Sequence, residues 1–334
     1  MEKEPILKRI FKTKQIVLVL ILIAIILIFY LLNPFYLSTD NLRGVMHAMS
    51  ITGIMAVGMS CLFIGGGIDL ASTTESLFAG VMCALLMRSG VPWPIAAIIT
   101  LIAGAIMGMA IAGLVTYLRM MPFIATIAVS NVVLGLTRAL TNSQNVPIPN
   151  ESFWFLGGAN LFRVIPVPFI IMLVLLVIYG LILKNTQFGR NIYLVGGNMF
   201  AARLSGLDPM KIKSILYINN AVLSSFAGII VASRMHSASP SSASDAHMSA
   251  ITAAILGGVS FAGGAGSMSG CFIGILLLNF FNNGLNILSL ESYWQTIAQG
   301  VLLIIALAID FYRERARKRS LKVKLEIRKG EVAA

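Results

Sequence analysis

Residues 189–213 read GRNIYLVGGNMFAARLSGLDPMKIK. This is the longest polar interruption flanked by basic residues in an otherwise apolar chain. Lys184, Arg190, Arg203, Lys211 and Lys213 fall in it or beside it. On either side lie the apolar runs Val164–Leu183 and Ser214–Ser233. About 20 apolar residues are what a helix needs to cross the hydrocarbon of a bilayer. The stretch is therefore a loop between two membrane spans, and the fold class is an all-α integral membrane protein.

Composition agrees. The chain is 57% hydrophobic and 11% charged, with a mean hydropathy of +0.88. A water-soluble domain carries roughly 25% charged residues. Ten-residue strands of alternating hydropathy are missing, which argues against a membrane β-barrel. The net charge of +12 invites a nucleic-acid reading. The basic residues cluster in loops and tails between spans, so the partner they point to is the membrane and not a nucleic acid. Cys61, Cys83 and Cys271 sit in apolar runs without metal-site spacing and read as buried small hydrophobes.

Working outward from the loop, ten spans are expected at about 16–36, 43–64, 70–87, 93–117, 122–141, 164–183, 214–234, 248–264, 268–288 and 292–311. The first follows Lys8, Arg9, Lys12 and Lys14 and lacks a small-residue cleavage pattern, so it is expected to stay uncleaved. The expected organisation is a basic cytoplasmic segment at 1–15, a transmembrane domain at 16–311 with a cytoplasmic loop at 184–213, and a basic cytoplasmic tail at 312–334. This arrangement puts 20 of the 25 Lys and Arg residues on one side, as positive-inside topology requires. The tail reads either as a solvated charge run that fixes topology or as a contact for lipid headgroups. Ten spans divide into five and five, and an odd number per half forces opposite orientations, an inverted-repeat plan. The longest external loop, Thr141–Arg163, carries Pro147, Pro149, Trp154 and Phe155 and reads as a lid or interfacial anchor.

Two glycine-rich breaks interrupt the spans, Ile64–Ser76 (IGGGIDLASTTES) and Ile255–Gly270 (ILGGVSFAGGAGSMSG). Small residues allow close helix packing in lipid. Packing alone does not account for Asp69 and Glu75 beside the first break, because carboxylates at membrane depth usually face a cavity or a partner. Asp69 reads either as a pathway residue or as a solvated loop residue or helix cap. Asn279, Asn282, Asn283 and Asn286 recur at helical spacing on one face. Amides suit an uncharged polyhydroxyl solute, and equally they join helices in lipid. Ser130, Asn131, Asn219, Asn220, Gln295 and Gln299 supply further uncharged polar groups.

The chemistry of catalysis is not visible. His47, His236 and His247 lack zinc-type spacing with a second ligand. No phosphate-cradling G-x-x-x-x-G-K-[ST] loop is present. Any energy source is therefore a partner ATPase or an ion gradient. Ion-coupled transporters place ionisable groups in the middle of spans, and few stand there. A membrane enzyme ranks last.

Within the loop, Asn198–Leu207 has the local logic of a short helix. Asn198 caps its start, Ala201, Ala202, Arg203 and Leu204 favour helix, Gly206 suits a left-handed end, and Pro209 discourages continuation. Such a helix either lies on lipid headgroups or docks on a protein.

At these residues the chain resembles the membrane-spanning permease subunit of ribose/xylose/galactose-type ATP-binding-cassette importers. Gly66–Ser76, GGIDLASTTES, is similar to the family's GGIDLSVGS. Gly189–Leu207 resembles GRYIYAIGGNxxAARLSGI. Ala253–Gly270, AAILGGVSFAGGAGSMSG, resembles AAVVLGGTSLxGGxGSxxG. Asn282–Leu288, NNGLNIL, followed by Trp294 and Gln295, matches a fourth pattern. The resemblance runs from about residue 40 to Asp310. It implies a cassette ATPase partner holding ATP and Mg, an extracytoplasmic solute-binding protein, a second permease chain, a monosaccharide solute and a bacterial inner-membrane location, with no cofactor in this chain. It implies that Asn198, Ala201, Ala202, Arg203, Leu204, Ser205 and Gly206 couple to the ATPase, with Ala202 and Leu204 offering an apolar contact. The pathway candidates are Asp69, Asn279, Asn282, Asn283 and Asn286. Two departures stand out. Ala71, Ser72 and Thr73 replace the family's Ser-Val-Gly, and His247, Met248 and Ser249 stand where an acidic Glu-Leu-Asp triplet is usual.

Overall fold

The computed structural model of the protein describes residues 14–161, 164–240 and 246–333. Most of the basic segment expected at 1–15 lies outside them. The description is all-α apart from four two-residue strands. Among the described residues, seven helices are long and apolar enough to cross a membrane.

Two of these form the centre: α2 (Thr39–Ile64) and α10 (Pro209–Met235). In their most apolar windows 78% and 67% of residues are buried, against 6% at Ser292–Tyr312 in the last helix. Small residues punctuate the buried faces of both central helices. Gly53, Gly58 and Ser60 lie in the first, and Ala221, Ser224, Ser225, Ala227 and Gly228 in the second. Small side chains let backbones approach where no hydrophobic drive distinguishes helix from lipid. The surrounding helices are α1 (Lys14–Leu32), α4 (Trp93–Ala112, extended by a π-turn at Gly113–Tyr117), α5 (Pro122–Thr141), α7 (Val167–Asn185), α12 (Met268–Ile287) and α13 (Ser292–Ala333). The outer faces of α1, α4, α5, α7 and α13 carry exposed large apolar side chains such as Leu, Ile and Val, the surface expected of helices set in hydrocarbon. Proline stands in the first turn of α4, α5, α7 and α10, where its missing N–H costs nothing.

Two helices are short. α3 (Ser72–Arg88) has 17 residues and α11 (Ala246–Leu256) has 11. At 1.5 Å per residue they reach about 26 and 17 Å, less than the roughly 30 Å of hydrocarbon. The span expected over 248–264 is therefore helical only to Leu256. The chain then breaks at Gly258, whose φ of +85° no β-carbon-bearing residue favours. The two short helices start from a common point. Thr73 Oγ accepts the His247 N–H at 2.9 Å, and its hydroxyl pairs with His247 Nδ1 at 2.8 Å. Thr73 thereby caps the first turn of α11 from another helix. From there α3 runs alongside α10, with Ser76 against Gly228. Its far end packs with Val146, Phe153 and Ala238. α11 runs the other way along α2, and its following loop returns to Ile64.

The opposite end is closed by the segment between α5 and α7. A short helix, α6 (Glu151–Gly158), lies on the end of α10. Gly157 N–H donates to Ser233 Oγ at 2.8 Å, which donates to Phe153 O at 2.6 Å. Strand β1 (Val146–Pro147) pairs with β4 (Ser237–Ala238), and the small pair β2 (Asn160–Leu161) and β3 (Ile165–Pro166) leads into α7. Trp154 stacks on His236 with ring centroids 4.0 Å apart, while Phe155 stays exposed.

The Thr73 cap yields a stability prediction. Thr73→Val keeps shape and removes both hydrogen bonds. Thermal unfolding in detergent is expected to show a loss of about 1–2 kcal/mol, whereas Thr73→Ser retains most of it. Equal melting of all three proteins would remove the cap.

Candidate functional site

The loop between α7 and α10 holds two helices. α8 (Gln187–Gly197) starts on Thr186, whose hydroxyl accepts the Gly189 N–H at 3.0 Å. It buries Ile192 and Val195 against the core. α9 (Met199–Leu204) follows at once. Asn198 Oδ1 accepts the Phe200 and Ala201 N–H groups, both at 3.0 Å. At the other end Leu207 N–H donates to Ala202 O at 3.1 Å and Gly206 N–H to Arg203 O at 3.0 Å. Gly206 takes φ +78°, the left-handed close of a helix. Asp208 then caps α10, and Pro209 stands in its first turn.

This helix presents a different face from the one the sequence indicated. Ala202 is expected to face a partner, but its side chain is only 2% exposed and belongs to the chain's own core. The outward apolar pair is Phe200 and Leu204, at 71% and 75% exposure. They stand at i and i+4 and so share one face. That spacing is legible in the sequence, and Phe200 is the residue it missed. Ala201, Arg203, Ser205 and Gly206 are exposed beside them.

Immediately before α9 the backbone of α8 meets both glycine-rich breaks. Gly264 N–H donates to Ile64 O at 2.8 Å. A Cβ on Gly196 would stand 1.8 Å from Ile64 O and 2.8 Å from Gly264 N, so no side chain fits there. Lys213 Nζ donates to Gly66 O at 3.2 Å, Tyr217 OH to Ile68 O at 3.2 Å, and Tyr193 OH to Gly266 O at 2.8 Å. Burial raises the pKa of the Tyr193 phenol, which keeps it a donor. Three glycine motifs from distant parts of the chain thus form one junction next to α9.

The polar pathway candidates are distributed unequally. Asp69 is fully buried and is not a solvated loop residue. Its Oδ1 accepts the Ala71 N–H at 2.8 Å and its Oδ2 the Asn220 amide at 2.8 Å; that amide also reaches Ser72 Oγ at 3.0 Å. Buried carboxylates need such bonds, and here they lock the first break onto α10. Glu75 is also fully enclosed, with neither oxygen hydrogen-bonded. Of the asparagine row, Asn279 donates to Ile275 O at 2.9 Å in its own helix. Asn283 and Asn41 exchange amide bonds at 2.8 and 2.9 Å. Asn286 accepts from Gln295 at 3.1 Å. Asn282 is half-buried, with its oxygen unbonded. Three of the four therefore make bonds within the chain, two of them between elements. Asn219 is held by Tyr179. Both departures noted in the sequence meet in the Thr73–His247 contact. No cluster of three or more His, Cys, Asp or Glu residues that could hold a metal is found among the described residues.

Comparison with known proteins places this geometry in context. Residues 41–307 match the family described as branched-chain amino acid transport system / permease component. The ribose import permease protein of Bacillus subtilis is 36% identical over 291 residues, covering 86% of this chain and 90% of that protein. The ribose import permease protein of Escherichia coli K12 is 36% identical over 305 residues, covering 89% and 92%. The L-arabinose transport system permease protein of the same strain is 33% identical over 285 residues, covering 85% and 87%. No solved structure is a significant match.

The junction is testable at adjacent positions. Gly196→Ala forces its new carbon onto a backbone oxygen, and overpacking of this kind costs roughly 1–3 kcal/mol. Gly197→Ala meets nothing nearer than 3.9 Å. Thermal unfolding of the two should separate, with Gly196→Ala melting earlier; identical curves would show that the contact is loose.

Proposed function

The chain belongs to the branched-chain amino acid transport system permease component family, and we propose how it works in that role. It is the membrane-spanning permease of an ATP-binding-cassette sugar importer, a channel subunit without catalysis of its own. Family membership sets aside the ion-coupled reading. The family description names branched-chain amino acids, whereas the relatives above are named for ribose and L-arabinose. At over 30% identity along nearly the whole chain, those relatives point to a monosaccharide delivered by an extracytoplasmic binding protein.

The working assembly is this chain, a second permease chain, a cassette ATPase that holds ATP and Mg, and the binding protein. The single observation that carries the coupling mechanism is the position of α9. It is a rigid, doubly capped helix whose exposed Phe200 and Leu204 stand one residue-turn from the glycine junction. A groove on the ATPase takes these two side chains, and Arg203 adds a charged hydrogen bond. Displacement of α9 passes through α8 to the backbone of both breaks, because close-packed backbone contacts transmit strain where flexible side chains absorb it.

The architecture is ten spans in a five-plus-five inverted arrangement with both termini in the cytoplasm. Matched neighbours support it. α10 packs on α3 and α4 as α2 packs on α11 and α12. α3 packs on α4 as α11 does on α12, and α3 on α5 as α11 does on α13. The two short helices occupy corresponding places, which is where discontinuous helices hold a solute at mid-membrane. Arg119, Lys184, Arg190, Arg203, Lys211 and Lys213 belong to the junction end, the cytoplasmic side by positive-inside topology. Asn282 remains the member of its row best suited to touch a solute.

Two experiments test this reading. Single cysteines at Ser152 and Gly206, with the buried Cys61, Cys83 and Cys271 replaced, are expected to differ toward an impermeant thiol reagent in intact cells. Only Ser152 is labelled; labelling of Gly206 alone would invert the orientation. Gly206→Glu introduces a bulky charge where φ is +78°. It is expected to abolish transport and ATPase pull-down in reconstituted vesicles while leaving membrane insertion normal. Full pull-down and full transport by that variant would remove the coupling assignment.

A further inference from the structure

A cavity of about 400 Å³ opens between the α4–α5 turn, α9 and the start of α10. Three cationic side chains line it, Arg119, Arg203 and Lys213, and no carboxylate does. The nearest acid in sequence, Asp208, is already engaged by the Met210 and Lys211 N–H groups at 3.0 and 3.3 Å and by the Lys211 ammonium at 3.7 Å. Like charges brought together around one space without a counter-charge repel each other. An anion in that space relieves the repulsion.

The rest of the lining is apolar. Met120, Met199 and Met210 supply soft, adaptable surface. The wall from α4 is the π-turn that contributes Val115 and Thr116, a helical irregularity frequent at functional sites. Arg119 holds φ +55°, a conformation that costs a residue with a β-carbon on the order of 1 kcal/mol and turns the chain sharply after α4. Beside the cavity, Leu118 and Met121 are 69% and 68% exposed, and Tyr117 and Phe123 are exposed with them. This apolar band lies at the ends of two membrane helices. A small soluble anion would satisfy the cations and leave the methionines and the band unused. A phosphate carried on acyl chains uses both.

We propose that this cavity binds the phosphate headgroup of an anionic phospholipid, with the acyl chains lying along the start of α5. Arg119 and Lys213 clamp the phosphate, from the α4–α5 turn and the start of α10. The site reaches the glycine junction through one atom. Lys213 Nζ donates to Gly66 O at 3.2 Å, so a bound phosphate shares that ammonium with the first break. Lipid composition then adjusts how firmly the break is held.

The test uses the full chain in nanodiscs of phosphatidylcholine with titrated phosphatidylglycerol, reading bound lipid by native mass spectrometry. The wild type is expected to retain phosphatidylglycerol over phosphatidylcholine. Arg119→Asn removes the charge with a residue that tolerates the left-handed backbone. It should lower retention roughly five-fold, one basic group's worth. Arg119→Lys should keep most of it, and Lys211→Gln, which removes an equal charge outside the cavity, should change little. Monodispersity and melting temperature show that each variant is folded. Equal retention of the two lipids by the wild type overturns the proposal, as does a Lys211→Gln loss as large as that of Arg119→Asn. Addition of inorganic phosphate separates the sources. Failure to displace the lipid at millimolar concentration supports the phospholipid, and saturable binding of phosphate alone with lipid displaced rejects the phospholipid as the occupant.

Discussion

The structure depends on one close approach. The carbonyl of Ile64, the Gly264 N–H and the α-carbon of Gly196 occupy a space with no room for a side chain. In lipid every backbone group needs an internal partner, and a broken helix leaves several without one. Here the end of α2 gives its last carbonyl to the second break. The Lys213 ammonium and the Tyr217 and Tyr193 hydroxyls take carbonyls of both. The breaks are affordable because they satisfy each other. Both are therefore bound to α8, the element that leads directly into the exposed helix α9.

A second consequence is the meeting of the two short helices. Their first turns carry unpaired N–H groups and a partial positive charge. Thr73 answers part of this for α11, and Asp69 brackets the approach to α3 through Ala71 and Asn220. The carboxylate is thus a structural bolt with both oxygens occupied. The asparagine row behaves similarly in part. Asn283 pairs with Asn41, and Asn286 with Gln295, so the row mainly holds α12 to its neighbours.

Much of this was legible in the sequence, for identifiable reasons. The positions of the seven long apolar helices followed from the length of apolar runs, because hydrocarbon thickness is a fixed ruler. The caps at Asn198 and Gly206 followed from local backbone chemistry, which needs no tertiary information. What was hidden depended on which face turns inward. Ala202 looked like contact surface and is core, because a six-residue helix has too few residues for its buried side to declare itself. The short length of α11 was masked by apolar residues that continue into the second break, where Gly258 ends the helix while Val259 stays buried. The pairing of Thr73 with His247, and the convergence of Arg119, Arg203 and Lys213 on one cavity, join residues far apart in the chain; no local pattern encodes such contacts.

The central claim is that α9 is the surface through which a partner ATPase moves the junction. Site-specific photocrosslinking tests it most directly, with a photoreactive residue placed in turn at Phe200, Leu204 and Ala202 in the assembled transporter. Covalent adducts to the ATPase are expected from Phe200 and Leu204, and none from the buried Ala202. Adducts from Phe200 and Leu204 to lipid alone, with the ATPase present and active, would contradict the account.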